Sequence, residues 1–315
     1  MSQSPEKPCN LRRARGQHTI SKQIPITYLT EDIVYKAYHA KPALINSSTP
    51  SGNRLMTEIL VSGNYEDDMG NRVFAPAGLH KVYVDFKGNN NTLLIDNSSG
   101  IRNTLISFPS NSGSCTIGAN GNYCGKIRIG WNCTVIIGSE VTCTTACAIY
   151  TAEATCALIG DDCMIAAHVI IRTEDSHAIF DVESGNRLNP SRDVVIGRHV
   201  WLAEDSVVLS GSRIGAGSVI GIRSVVKATI PNNCTAAGIP CKVIKQHTAW
   251  ERPNIAFGEP WVRNNAKAQN LMETKDAWQR TNNSTKDISI GRYSYATLKT
   301  IQSKNSSLII TDLVE

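Results

Sequence analysis

The chain is short of several things, and each shortage removes a class of function. Its 315 residues hold no apolar run long enough to cross a bilayer, only 6% aromatics, and a formal charge of just +5. A membrane-spanning helix needs about 20 consecutive apolar residues, so no membrane span is expected. Basic residues form no concentrated stripe with aromatics between them, so nucleic acid is not an expected partner. The modest positive balance suits a polyanionic small ligand or an acidic polymer instead. The opening MSQSPEKPCNLRRARG lacks the apolar core of a secretory signal. Ten cysteines are present, but none pairs at CxxC spacing, so neither structural zinc nor any other metal is expected. They are read as reduced, buried small hydrophobes of a cytoplasmic protein.

What the chain does have is a repeat. Stepping by six from Ile117 gives Tyr123, Ile129, Val135, Val141, Cys147, Glu153, Ile159, Ile165 and Ile171. The same step from Ile196 gives Leu202, Val208, Ile214, Ile220 and Val226. All but Tyr123, Cys147 and Glu153 are Ile, Leu or Val. Gly often follows the marker, where a tight turn would exclude a side chain. Four residues after each marker a second slim position recurs: Cys133, Ser139, Thr145, Thr151, Ala157, Cys163 and Val169, then Val200, Ser206, Ser212, Ser218 and Ser224. Two inward positions per six residues describe short strands separated by turns. Such strands bury a face only by stacking successive coils. Glu153 is the discordant member, because a buried carboxylate is costly; the coil is expected to bulge there.

Between Ile171 and Ile196 the register slips by one residue across TEDSHAIFDVESGNRLNPSRD. This polar, Gly/Asn/Pro-bearing stretch reads as an excursion out of the solenoid, and insertions in repeat proteins commonly build a binding face.

IRTEDSH (171–177), NPSRDVVIGRHVWLAEDSVVLSGSRIGAGSVIGIRSVV (189–226) and AAGIPCKVIK (236–245) together resemble the hexapeptide-repeat acyltransferases, whose fold is a left-handed parallel β-helix. More narrowly they resemble bacterial O-acetyltransferases acting on capsular polysaccharide or O-antigen sugars. The resemblance covers roughly residues 115–245. It implies an all-β core, acetyl-CoA as cosubstrate, and a homotrimer with active sites between subunits. The family's catalytic histidine maps onto His177, and a site-lining tryptophan onto Trp201.

An acyl transfer to a sugar hydroxyl needs a base that removes its proton, and neutral imidazole suits that role near pH 7. His177 lies at the base of the excursion, with Asp175 two residues earlier to orient it or contact the acceptor; Asp181 and Glu183 are rivals for that role. His199, Arg172, Arg187 and His168 are candidate acceptor contacts, and alternation puts His199 on the side of Trp201. Arg172 and Arg187 suit either an anionic glycan or a CoA phosphate. Along the later coils, backbone groups of Ala203, Gly221 and Ile222 are candidates for the pantetheine amides, with Gly215 and Gly217 keeping the groove open. Arg223, Lys227, Lys242 and Lys245 are candidates for the CoA phosphates.

The organisation read from the chain is an N-terminal extension (1–75), a β-helix domain (76–245) with an insertion loop (172–195), and a C-terminal extension (246–315) that caps the solenoid or binds acceptor. A helix is expected within 29–45, a turn at 47–52, strands within 81–108, a short helix over 267–280, and a strand pair or further repeat over 288–302. The functional expectation is acetyl transfer to a bacterial surface polysaccharide, in the cytoplasm or peripheral to a capsule-assembly complex. A small-acceptor enzyme, acting on a nucleotide sugar or serine, is the alternative of the same chemistry. A non-catalytic β-helical scaffold or binding module is the alternative of another class.

Overall fold

The computed structural model describes residues 58–257, 278–282, 289–290 and 293–294. Three sheets of eight, nine and six strands run side by side, and from Gly125 onward each coil adds one short strand to each. Face A includes Gly125–Ile129, Cys147–Thr151, Ile170–Arg172, Val207–Val208 and Val225–Val226. Face B includes Thr134–Ile137, Cys156–Ile159, Val194–Ile196, Arg213–Ile214 and Thr229–Ile230. Face C includes Thr142–Cys143, Met164–Ile165, Trp201–Leu202, Val219–Ile220 and Cys234–Ala237. Along the coils these strands pair parallel to their predecessors, as in Cys147 on Gly125 and Val207 on Ile170. The result is the expected left-handed parallel β-helix, of about 7 turns.

The core follows from period-two alternation inside each strand. In Cys147–Thr151, residues 147, 149 and 151 are buried while Ala148 and Tyr150 are half-buried outside. Ile127, Ile149, Ile171, Val208 and Val226 stack in register up face A, all essentially inaccessible. Burial of each such side chain contributes roughly 1.5–3 kcal/mol. The nine cysteines from Cys115 to Cys241 are all free and buried.

The Ile-Gly dipeptides have a cause other than the expected turn. At the corner between faces B and C, Gly118, Gly138, Gly160, Gly197 and Gly215 form a column, and none has positive φ. A Cβ on Gly160 would sit 2.6 Å from the Arg198 nitrogen of the coil above, and one on Gly197 2.7 Å from the Ala216 nitrogen. The glycines permit close approach of neighbouring backbones. Gly215 belongs to this column, so its service is to coil stacking rather than to an open groove.

Glu153 is not a buried marker either. It sits exposed at a corner where both it and Ala154 adopt positive φ (59° and 55°), so the extra turn length carries the carboxylate outside. Likewise Ser139 and Thr145 lie at corners, half-buried and exposed, whereas the later serines 206, 212, 218 and 224 are all inside.

The expected strands within 81–108 are His80–Phe86, Thr92–Ile95 and Arg102–Phe108. Pairing reaches further back: Arg72–Phe74 lies parallel on Thr92–Leu94, and Ile59–Leu60 antiparallel on Tyr83–Val84. At the far end Lys242–Gln246 turns back antiparallel on Cys234–Ala237. The segments 29–45 and 47–52 lie outside the described residues, as does most of 267–280. Within 288–302, Ser289–Ile290 pairs antiparallel with Tyr293–Ser294. Among the described residues no helix is long and apolar enough to cross a membrane.

Candidate active site

The excursion leaves face A after Arg172 and returns to face B at Val194. Its neck closes where the Arg192 amide donates to the Thr173 carbonyl at 3.0 Å. Beyond the neck the chain folds on itself as a small hairpin. Leu188 N donates to the Ile179 carbonyl and Asp181 N to the Asn186 carbonyl, both at 2.8 Å. The Asp181 carboxylate accepts from Ser184 N and Oγ, 2.7 Å each, and from Glu183 N at 3.2 Å. Asp181 is therefore committed to the hairpin's own turn. Glu153, the exposed corner carboxylate one coil earlier, anchors the hairpin: both its oxygens pair with the Arg187 guanidinium, and Oε2 also accepts from Ser191 N and Oγ. The Arg187 hydrogen bonds, then those of Ser191, hold the Glu153 carboxyl down to about 2.

His177 stands on this platform with its ring exposed and without a hydrogen bond among the described residues. Its backbone is fixed: the amide donates to the Asp175 carbonyl at 2.8 Å and the carbonyl accepts from Asn189 Nδ2 at 2.9 Å. The same Nδ2 donates to Asp175 Oδ2 at 3.1 Å. Asp175 and His177 thus share Asn189, while the carboxylate does not meet the imidazole. Arg172 and Arg128 each donate to Glu174 Oε1, at 2.9 and 3.0 Å, and Glu174 Oε2 accepts from Ser176 N. Burial raises the Glu174 carboxyl, but Arg172, Ser176 and Arg128 together outweigh it and hold it below its usual range.

Trp201 lies elsewhere. It is half-buried on the outer side of face C, whereas His177 leaves at the corner of faces A and B. Face B separates them along the chain. His199 does not accompany Trp201 outward: at φ 52° it occupies a left-handed corner position, which breaks the alternation between residues 199 and 201. Its ring is 1% exposed, with Nδ1 2.5 Å from Asp162 Oδ2 and Nε2 3.2 Å from the Trp250 carbonyl, both acceptors. Trp250 stacks on it at 4.1 Å and 10°, donates from Nε1 to the His199 carbonyl, and lies 6.0 Å from the Trp201 ring. Instead of acceptor, His199 meets a returning C-terminal strap.

Nothing local in the sequence announces that strap, whose contacts reach back 51 to 112 positions. Arg252 completes it, donating to Asp162 Oδ1 at 2.5 Å, Thr142 Oγ1 at 2.9 Å, and the Glu140 and Cys163 carbonyls at 3.1 Å. Burial alone would raise the Asp162 carboxyl, but His199 and Arg252 together bring it below its usual range.

Of the remaining candidates, His168, Ala203, Gly221, Ile222 and Arg223 lie at the corner between faces C and A. Ala203 and Gly221 are stacked in successive coils beside Ile222 and Arg223. The amides of Ala203 and Gly221 already donate to the Ile220 and Ala236 carbonyls, so those N–H groups hold coils together. Ile222 is exposed, and Arg223 Nε lies 3.3 Å from Asp205 Oδ2. One coil below, His168 Nδ1 lies 3.4 Å from Asp205 Oδ1. Lys227 is exposed beyond the face A strand, and Lys242 and Lys245 are exposed on the terminal strand. The basic residues share the top of the solenoid but not one cluster. Burial pushes up the thiols of Cys115 and Cys163, the latter to about 12, which leaves no role for them as nucleophiles.

No family model matches the chain. It is 36% identical over 131 residues to a polysialic acid O-acetyltransferase of Escherichia coli O1:K1 / APEC, covering 42% of this chain and 40% of that one. It is 34% identical over 125 residues to a polysialic acid O-acetyltransferase of Neisseria meningitidis, covering 39% and 58%. The matches therefore span about half the length of these curated relatives. Among solved structures, the polySia-specific acetyltransferase NeuO superimposes with a TM-score of 0.55 at 32% identity, over 64% of this chain and 94% of that one.

Proposed function

Because the chain belongs to the hexapeptide-repeat acetyltransferases, we propose that it transfers acetyl from acetyl-CoA to a hydroxyl of a bacterial surface polysaccharide. The observation that carries the reading is the placement of His177: an exposed imidazole whose backbone is pinned by Asn189 at the foot of an anchored hairpin. A base must reach its substrate's proton, and this ring is open to solvent on a fixed mount.

In the reaction, neutral His177 takes the acceptor hydroxyl proton as that oxygen attacks the thioester carbonyl. The C–O bond forms, the tetrahedral intermediate collapses with loss of the C–S bond, and the imidazolium returns the proton to the departing thiolate. A preorganised N–H donor steadies the intermediate's oxygen. No enzyme nucleophile is required. Trp201 supplies flat apolar area beside the reacting groups. The corner carrying Ala203, Gly221, Ile222 and Arg223 receives pantetheine and phosphate, with Lys227, Lys242 and Lys245 above it.

His177 and Trp201 leave different sides of one solenoid, so a site containing both draws them from two copies, in keeping with a homotrimer. Asp175, held by Asn189, then faces the acceptor rather than orienting the ring. Calorimetric titration with acetyl-CoA, sedimentation, and an acetyl-transfer assay on a glycan panel test this reading. The expected result is one acetyl-CoA bound per chain in a trimer, with transfer lost by about 10²–10⁴-fold in His177→Ala. Absence of binding in the folded, assembled protein overturns it.

A further inference from the structure

Directly below the excursion, the outer surface carries a group of side chains that the transfer chemistry leaves unused. Arg128, Tyr150 and Arg172 stand in register on successive coils of face A. The two guanidinium carbons lie 4.8 and 5.4 Å from the Tyr150 ring centroid. Both guanidiniums share one oxygen of the single carboxylate Glu174, so two cations meet one anion. Each guanidinium has five N–H donors, and Arg128 remains 39% exposed in its side chain. Lys126, on the same strand two residues before Arg128, adds a further exposed cation. Around the adjoining corner projects Trp131, 57% exposed. Its carbonyl accepts from Ala154 N, so it lies one coil below the Glu153 corner, and the excursion leaves from the coil above that. Two coil spacings, about 10 Å, separate Trp131 from the root of the His177 loop.

The geometry points to an extended contact track for an acidic polysaccharide, running from His177 down two coils. Lys126 and Arg128 meet its carboxylates, and Trp131 stacks against a sugar ring. Flat aromatic area beside guanidinium donors matches a polymer whose units present both an apolar sugar face and a planar carboxylate. Tyr150 braces the two arginines in place. The track names the acceptor class for the transfer reading and rests on it: a polymer held here would present successive units to His177.

Binding and transfer distinguish the two ideas. With the full-length His177→Ala protein, affinity electrophoresis is run through sialic acid polymer, polygalacturonate and dextran. The track predicts retardation by a carboxylate polymer and none by dextran. Trp131→Ala, remote from the Glu174 contacts, weakens that retardation roughly threefold to tenfold. Arg128→Gln weakens it and flattens its salt dependence. In otherwise native protein, Trp131→Ala raises KM for the polymer while kcat, and transfer to a single sugar, stay unchanged. Equal retardation by dextran, or wild-type polymer binding by Trp131→Ala, overturns the track even where transfer is intact. Polymer binding without any acetyl transfer sustains the track and removes the function on which it was built.

Discussion

Below the excursion a coil takes 20 to 22 residues; above it, 18, falling to 16 at the last turn. Ser114 pairs with Thr134 and Gly125 with Cys147, whereas Val207 pairs with Val225 and Trp201 with Val219. The interior barely registers the difference, since Ile and Val stack in both halves. The additional residues are spent at corners, and there the halves part company. One lower corner holds two consecutive positive-φ residues, Glu153 and Ala154, and another projects Trp131. The upper corners are shorter, yet they still expose Glu204, Ile222, Arg223 and Lys227. On the proposed function, acceptor and cosubstrate divide between the two halves.

The strap prevents the two halves from behaving separately. Trp250 packs on His199 above the break, while Arg252 reaches Thr142, Asp162 and the Glu140 and Cys163 carbonyls below it. Trp250→Ala is the largest expected perturbation. It removes a buried indole, its stack and its hydrogen bond, at a cost of about 3–5 kcal/mol, read by denaturant unfolding. Hydrogen exchange should then show the two halves opening with different free energies. A loss under about 1 kcal/mol with one shared transition would show that the strands alone couple the halves.

Next in size are the glycines common to both halves. Gly197→Ala brings a Cβ within 2.7 Å of Ala216 N, and Gly118→Ala within 2.6 Å of Ser139 N. Each is expected to cost roughly 1–3 kcal/mol or more, with Gly197 the costlier because an 18-residue coil has no corner slack to absorb the shift. Equal costs would mean that slack at the corners does not reach the sheets.

The same contrast explains what was legible in the sequence. The hexad describes 18-residue coils without error, so the buried serines 206–224 were read correctly. Below the break, steps of six still land on odd-numbered positions, which are the inward ones on most strands; they fail at Glu153, where the corner lengthens. Alternation misplaced His199 because it is itself a left-handed corner residue, outside the strand that begins at Trp201. Asp162, Trp250 and Arg252 were beyond reach, since their contacts join residues 37 to 112 positions apart. His177 was nominated from a local motif, whereas the Asn189 contact that fixes its backbone spans 12 positions.

Acid should loosen the anchor of the excursion. Glu153 is depressed to about 2 by Arg187 and Ser191, so its contribution is complete above the unfolded value near 4.3 and disappears as pH falls through about 2. Asp162 is also depressed, and its contribution fades in the same direction. Between about pH 4 and 2 the hairpin at 179–188 should lose protection against exchange. Glu153→Gln should produce that loss already at neutral pH, with little change in global unfolding because the pair is exposed. Unchanged hairpin protection in that variant would shift the anchoring role to the Arg192–Thr173 neck.

The smallest effect probes the upper half itself, through two serines in equivalent inward positions. Ser212 Oγ donates to the Val226 carbonyl at 2.9 Å. Ser206 Oγ, equally buried, has no hydrogen-bond partner among the described residues. A made hydrogen bond contributes about 1 kcal/mol, whereas an unmade buried one leaves a desolvation cost. Ser212→Ala should therefore destabilise by roughly 1 kcal/mol, while Ser206→Ala should be neutral or slightly stabilising, in denaturant unfolding with matched m-values. The pair matters because Ser206 stands just after the corner bearing Ala203, the lowest coil of the proposed cosubstrate groove. If both substitutions cost the same, the upper coils are energetically uniform at these positions. If they differ in the direction expected, the regular half retains one unsatisfied polar position, and it lies beside the surface on which function is proposed.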